Sequence, residues 1–333
     1  MKKISAYISG ASAIIGSIIG AGFITGREIA TFFCIDLSVS GIYLCLIMFF
    51  ICFYLIMSYS GNGKVYNIIK KAVAVSNIVI ASCMLGAVEN IFHSFLRQTE
   101  FVKILKIITM IFAFFICCKG IGGISKISAA LIPVALILLT VILVKKTQFS
   151  NYRINISPSI GSGIIMPPLY VGMNVFMSFS VIKDACVSKT KKSVCIISAI
   201  SALTLIFFVA LISYIIKSNG LDSFDMPLLY FLRSDLKAYV LMEIICFIGI
   251  FSTLICALYS AFTLTSGKYA LPEKIILALL AYSLSNIGFA NIVNNLYPVF
   301  GVLGFIVCVI IFLQEFFQAR RPKRTLRPLK CIK

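Results

Sequence analysis

Gly16-Ser17-Ile18-Ile19-Gly20-Ala21-Gly22-Phe23-Ile24-Thr25-Gly26-Arg27-Glu28 is the stretch on which the fold turns. It lies inside an apolar run over residues 4–33, long enough to cross a bilayer, yet it carries four glycines in eleven residues. Each weakens a helix by roughly 1 kcal/mol relative to alanine. A second run, 160–182, is interrupted in kind: Gly161, Gly163, Pro167-Pro168 and Gly172 surround or precede Asn174-Val175-Phe176-Met177-Ser178-Phe179-Ser180. Eight further runs, near 40–59, 72–95, 102–118, 124–144, 193–216, 238–265, 273–290 and 296–318, are plain in character. The interrupted runs are therefore the first and sixth of ten. Gly/Pro-interrupted spans at matching places in two halves point to a transporter's site, because irregular backbone at membrane depth persists only where protein buries it or it lines a cavity. The competing reading is close packing, since Gly16/Gly20 and Gly22/Gly26 are GxxxG pairs that let helices touch without a break. Recurrence at five-span spacing favours discontinuous helices.

Composition agrees with a membrane protein. Of 333 residues, 60% are hydrophobic and 12% charged, with mean hydropathy +1.05; soluble domains run nearer half apolar and a quarter charged. At about 20 apolar residues per span, the chain has room for roughly ten spans and little else. A water-soluble enzyme is excluded. No HExxH, GxSxG or paired aspartates occur, and His93 is the single histidine, so an embedded enzyme has no chemistry to run on. The glycines of run one do not form a dinucleotide loop, because Gly20-x-Gly22-x-x-x-Gly26 has the wrong spacing and no βαβ pattern surrounds it. The twelve cysteines sit mostly within apolar runs without a CxxC pair, and Cys117-Cys118 has the wrong spacing for zinc. They read as small packing residues.

The net charge of +19 comes from Lys and Arg between spans rather than from a basic face for nucleic acid. With the N-terminus inside, the inner segments hold twenty basic residues and the outer segments nine, Arg27 lying within the first run. That excess predicts both termini in the cytoplasm and a multi-pass protein of the bacterial cytoplasmic membrane. The tail 319–333, with Arg320-Arg321-Pro322-Lys323-Arg324, reads as a basic topology determinant. The start Met1-Lys2-Lys3 followed by an apolar stretch is not read as a cleaved signal, since the run continues well past Ala11-Ser12-Ala13.

Ile19-Gly20-Ala21-Gly22-Phe23-x-Thr25-Gly26-Arg27-Glu28-Ile29, followed by Phe32-Phe33, resembles the first helix of the YkvI-like bacterial membrane proteins. Gly288-Phe289-x-Asn291 and Tyr297-Pro298-x-x-Gly301 resemble their last two helices. That family is similar to the amino acid–polyamine–organocation superfamily, whose members share the LeuT-type fold of ten helices in a five-plus-five inverted repeat. The resemblance implies an all-α integral membrane protein with helices 1 and 6 discontinuous, a single transporter domain over 1–318, and repeats of about 4–144 and 160–318.

It also implies site residues. A sodium ion would sit between helix 1 and helix 8, on main-chain oxygens of Gly16, Ile19 and Gly249 and the hydroxyls of Ser252 and Thr253. Substrate would lie beside Gly20, Ala21, Gly22 and Phe23, whose amides face a carboxylate, and beside Asn174, Phe176 and Ser178. Phe23 stands where some relatives place a cation-liganding side chain, so a second sodium site is not expected. Among acids at membrane depth, Arg27-Glu28 reads as a gate or a pairing that holds the outer half of helix 1. Glu89 reads as a proton relay or a rim residue, Glu243 as interfacial, and Lys183-Asp184 as a solvated helix end.

The implied function is secondary transport of an amino acid or related zwitterion, coupled to Na+ or H+. The alternative is a ligand-sensing receptor subunit on a permease fold, as spore-germination permease-like proteins are. Beyond a bound Na+ no cofactor or transition metal is expected; the partners are the lipid bilayer and a small-molecule substrate.

Overall fold

The computed structural model describes residues 2–33, 39–59, 61, 63–95, 99–147, 162–186, 190–267, 269–285 and 289–319. The described elements are all helical. Run one becomes three pieces, α1 (Lys2–Ile18), α2 (Ala21–Ile24) and α3 (Arg27–Phe33). Then follow α4 (Val39–Ser58), α5 (Lys64–Phe95), α6 (Thr99–Cys118), α7 (Gly120–Lys146), α8 (Ser162–Asp184) and α9 (Lys191–Ser218). A short α10 (Pro227–Leu232) precedes α11 (Leu236–Phe262), α12 (Ala270–Leu284) and α13 (Phe289–Ala319). Eight of these helices are long and apolar enough to cross a membrane among the described residues. The first run falls short because it is broken, and α12 because it has 15 residues. The basic tail, Gly161 and Gly288 lie outside the described residues.

Lipid-facing and protein-facing surfaces follow from helical periodicity. Ile104, Ile108, Ile111 and Phe115 make an exposed stripe on α6, and Leu279 and Phe312 do the same on α12 and α13. Apolar stripes of this kind are stable only against hydrocarbon. By contrast α8 and α5 are largely buried and form the centre: α8 packs on α13, α4 and α1, and α5 on α11. The buried Cys45, Cys83, Cys246 and Cys256 pack as small apolar residues, and the Cys117 thiol donates to the Ile255 carbonyl at 3.0 Å. At the start of α11, Asp235 accepts from the amides of Lys237 and Ala238 at 3.0 and 3.2 Å. Lys146 at the end of α7, 2.5 Å away, joins these bonds in holding the Asp235 carboxyl below the usual carboxylate range.

Run six departs from its reading. Helix α8 continues from Ser162 to Asp184 with Pro167 and Pro168 inside it. The reason lies in what Gly172 does. A Cβ on Gly172 would fall onto the Gly301 carbonyl, one on Gly304 onto the Gly172 carbonyl, and one on Gly301 would sit 2.7 Å from the Leu169 carbonyl. The glycines of α8 and α13 bring two backbones into direct contact, so close packing governs this helix. Prolines are tolerated in membrane helices that are packed among neighbours, and the Cys45 thiol donates to the Pro167 carbonyl across the α4–α8 contact at 3.7 Å.

Candidate functional site

The break in run one begins at Ile19. The Gly20 amide, which a continuous helix would direct to the Gly16 carbonyl, donates to Ile18 instead at 2.9 Å. Gly20 is extended, with φ −99° and ψ −166°, and caps α2. A second turn follows at Gly26, where φ of +83° is a conformation side-chain-bearing residues rarely adopt. Helical pairing resumes when Ala30 donates to Gly26 at 2.8 Å. The whole stretch from Gly16 to Gly26 is buried.

Against this break lies the middle of α11. The Thr253 hydroxyl donates to the Gly16 carbonyl at 3.4 Å. A Cβ on Gly16 would fall onto Ser252 Oγ, and one on Gly20 would lie 3.0 Å from Thr253 Oγ1. A Cβ on Gly249 would lie 3.0 Å from the Ile19 carbonyl. Ser252 is buried and its Oγ makes no hydrogen bond. The five residues read as cation ligands thus converge, and glycine at each approach keeps the oxygens within reach.

Beyond the break, α3 faces α8, the rings of Phe32 and Phe33 lying 5.4 and 5.0 Å from that of Tyr170. Tyr170, Asn174 and Ser178 recur every four residues and so share one helix face. Asn174 Nδ2 bonds back to the Tyr170 carbonyl at 2.9 Å. Asn174 Oδ1, Ser178 Oγ and the Tyr170 hydroxyl are buried without hydrogen-bond partners. Phe176 does not join them: two residues from Asn174 it lies on the opposite side of the helix, its ring 5.8 Å from that of Phe300 on α13. Tyr170 was legible as the i−4 neighbour of Asn174. Tyr297 belongs to the quoted α13 motif, but only the fold reveals that its hydroxyl hydrogen-bonds the Glu28 carboxyl.

At the Arg27 end, Arg27 pairs with Asp225, and the Leu228 amide donates to the Thr25 carbonyl at 3.0 Å. These bonds tie α2–α3 to α10. Glu89 makes an ion pair with Lys106 at 2.7 Å, and the Lys106 ammonium lies 5.3 Å from the Tyr282 ring centre. Glu243 is buried within the protein, 3% exposed. It hydrogen-bonds Tyr239 and lines a cavity of about 90 Å³ with Ala21, Thr25 and Asn90.

The Lys183 end is likewise not a solvated terminus. Lys183 is buried and its ammonium sits 4.1 Å from the Tyr66 ring centre and 4.8 Å from that of Tyr59. It donates to the Tyr59 carbonyl at 3.3 Å. Tyr259 donates to Asp184 at 2.7 Å, and Tyr59 to Gln314. One cluster therefore fastens the ends of α4, α8, α11 and α13 and the start of α5. A desolvated cation over an aromatic face contributes about 2 kcal/mol. Lys183→Met is expected to lower stability by that order, Tyr66→Leu by a similar amount, and the double variant by less than the sum, read by thermal melting in detergent. Strict additivity would remove the contact as their cause.

These features define a multi-pass membrane protein of LeuT-type fold, with a broken first helix facing α8 and α11. No protein-family model matches the chain. It is 23% identical over 339 aligned positions to the uncharacterized membrane protein YkvI of Bacillus subtilis (strain 168), covering 93% of this chain and 95% of that one. The resemblance first visible in run one thus extends along the chain. Among solved structures it is similar to Mhp1, a nucleobase-cation-symport-1 family transporter, in a closed conformation with bromovinylhydantoin bound. That likeness has TM-score 0.61 at 14% identity and covers 95% of this chain and 79% of that one. Against inward-facing Mhp1 the TM-score is 0.57 at 15% identity, over 95% and 76%. At these identities the likeness carries the fold.

Proposed function

We propose that the protein is a secondary active transporter of an amino acid or related zwitterion, driven by a coupled monovalent cation through alternating access. One observation carries this reading: the Gly16 carbonyl freed by the break in run one meets the Thr253 hydroxyl, with Ser252 Oγ beside Gly16 and the Ile19 carbonyl beside Gly249, oxygens of the kind that suits a hard cation such as Na+. The transporter fold of Mhp1 supports it. Substrate lies between Gly20–Phe23 and the Asn174/Ser178 face, with residues 4–144 and 160–318 as the two halves and both termini cytoplasmic. The Arg27–Asp225 and Lys183–tyrosine clusters close the two ends, and each opens in turn. Because fold alone does not fix function, the test is direct. Melting midpoints are measured against an amino-acid panel in sodium and in potassium, followed by flux into proteoliposomes for any stabilising compound. Sodium-dependent stabilisation with uptake along a sodium gradient is expected. Stabilisation indifferent to sodium moves the coupling to protons, and binding without flux makes the protein a receptor subunit instead.

A further inference from the structure

Among the described residues Glu28 has no counter-charge. It is 3% exposed, its carboxyl lies so close to Gly22 that a Cβ there would fall onto Oε1, and Oε2 is buried without a hydrogen-bond partner. The titratable groups facing it are Tyr297 from α13, Tyr170 from α8 and Cys83 from α5, none of which brings a positive charge. Arg27, next to it in sequence, is engaged by Asp225, and the buried Lys106 and Lys183 by Glu89 and by Tyr59 and Tyr66. A carboxylate held in low dielectric without a partner is strongly disfavoured, so this group is carried either as the neutral acid or against a cation from outside the chain.

The neighbouring atoms say what kind of group. Asn174 has used an amide hydrogen on the Tyr170 carbonyl, which leaves Oδ1 as an acceptor in want of a donor. Glu28 Oε2 is a second acceptor, and the hydroxyl of Tyr170 accepts as readily as it donates. A group that satisfies several acceptors, one of them charged, is a donor-rich cation. An ammonium, with three N–H donors and no acceptor, meets that requirement; a neutral ring amide leaves the charge of Glu28 unanswered.

We infer that Glu28, with Tyr170 and Asn174 of α8 beside it, binds the positively charged nitrogen of a small ligand, so that primary amines and amino acids are bound and neutral ureides or nucleobases are not. The inference rests on the binding side of the function proposed above and narrows its substrate class. It also separates this chain from Mhp1, whose bound bromovinylhydantoin carries its nitrogens in a neutral ring.

The test is binding calorimetry on the full chain in detergent. The probes are the common amino acids and putrescine, each amino acid matched with its N-acetyl and α-hydroxy counterparts, with uracil and hydantoin as neutral rings. At least one amine is expected to bind, its neutral counterparts not. Glu28→Gln is expected to weaken amine binding roughly a hundredfold, as removal of one member of a buried charge pair does. Asn174→Ala, which leaves the charge in place, is expected to weaken it about tenfold and serves if Glu28→Gln fails to fold. Equal binding of a neutral ring, undiminished amine affinity in the variants, or a wholly silent panel overturns the inference. Amine binding without flux sinks the transport reading and leaves this one standing.

Discussion

Gly304→Leu is expected to abolish folding. A Cβ at this position would fall onto the carbonyl of Gly172, which is backbone and cannot rotate aside. Ordinary overpacking of a core costs about 1–3 kcal/mol where side chains can shift. Here α8 and α13 must separate, and α8 is the helix on which α1, α4, α5 and α11 also pack. Separation forfeits contacts along much of that interface against a total stability of only about 5–15 kcal/mol. The expected result is loss of the monodisperse peak on size exclusion after detergent extraction, with Gly172→Leu behaving alike. Gly122→Leu is the control, since a Cβ at Gly122 meets nothing within 4 Å and the change raises helix propensity. A folded Gly304→Leu protein with an unchanged melting midpoint would mean that α8 and α13 do not touch through these glycines.

Much of this architecture was legible because the bilayer permits so few solutions. Run length and hydropathy locate the helices to within a few residues for most spans, as in α4 (Val39–Ser58) against an expected 40–59. The break in run one was legible for a physical reason: four glycines in eleven residues also include the extended Gly20 and the positive φ of Gly26. Run six shows the limit of the same argument. Glycine permits both a break and a backbone contact, and only the partner decides between them; that partner, Gly301–Gly304, lies some 130 residues away in sequence. Polar groups show a similar divide. Ser252 and Thr253 were placed opposite Gly16 by the resemblance to LeuT-type proteins, since adjacent hydroxyls in an apolar run do not by themselves name the helix they face. Lys183 could not be placed, because a lysine at a helix end is usually solvated and nothing local announces Tyr59 and Tyr66. Charge that is buried by distant elements has no local signature.

The second large effect concerns cation dependence. If Gly16, Ile19, Gly249, Ser252 and Thr253 hold the coupled ion, sodium stabilises the folded state by RT ln(1 + [Na+]/Kd), which reaches about 2.7 kcal/mol at a hundredfold excess over Kd. Ser252→Ala removes an oxygen whose only observed role is to face the break, because it makes no hydrogen bond within the chain. Thr253→Val removes the hydroxyl that reaches the Gly16 carbonyl at 3.4 Å while keeping the branched shape. Each variant is expected to retain its melting midpoint in potassium to within about 1 kcal/mol, the cost of one neutral hydrogen bond at most. Each is expected to lose most of the added stability in sodium, and the double variant all of it. The contrast between the two salts is what separates a ligand role from a packing role: a hydroxyl that merely cross-links α1 and α11 destabilises equally in both. Equal losses in sodium and potassium would therefore make Ser252 and Thr253 structural glue between helices and strip the break in run one of its cation. An unchanged sodium response in the double variant would place the ion elsewhere in the bundle. Intact binding of an amine with no sodium response in the parent protein would leave Glu28 as the acidic group nearest the break and shift the coupling toward protons.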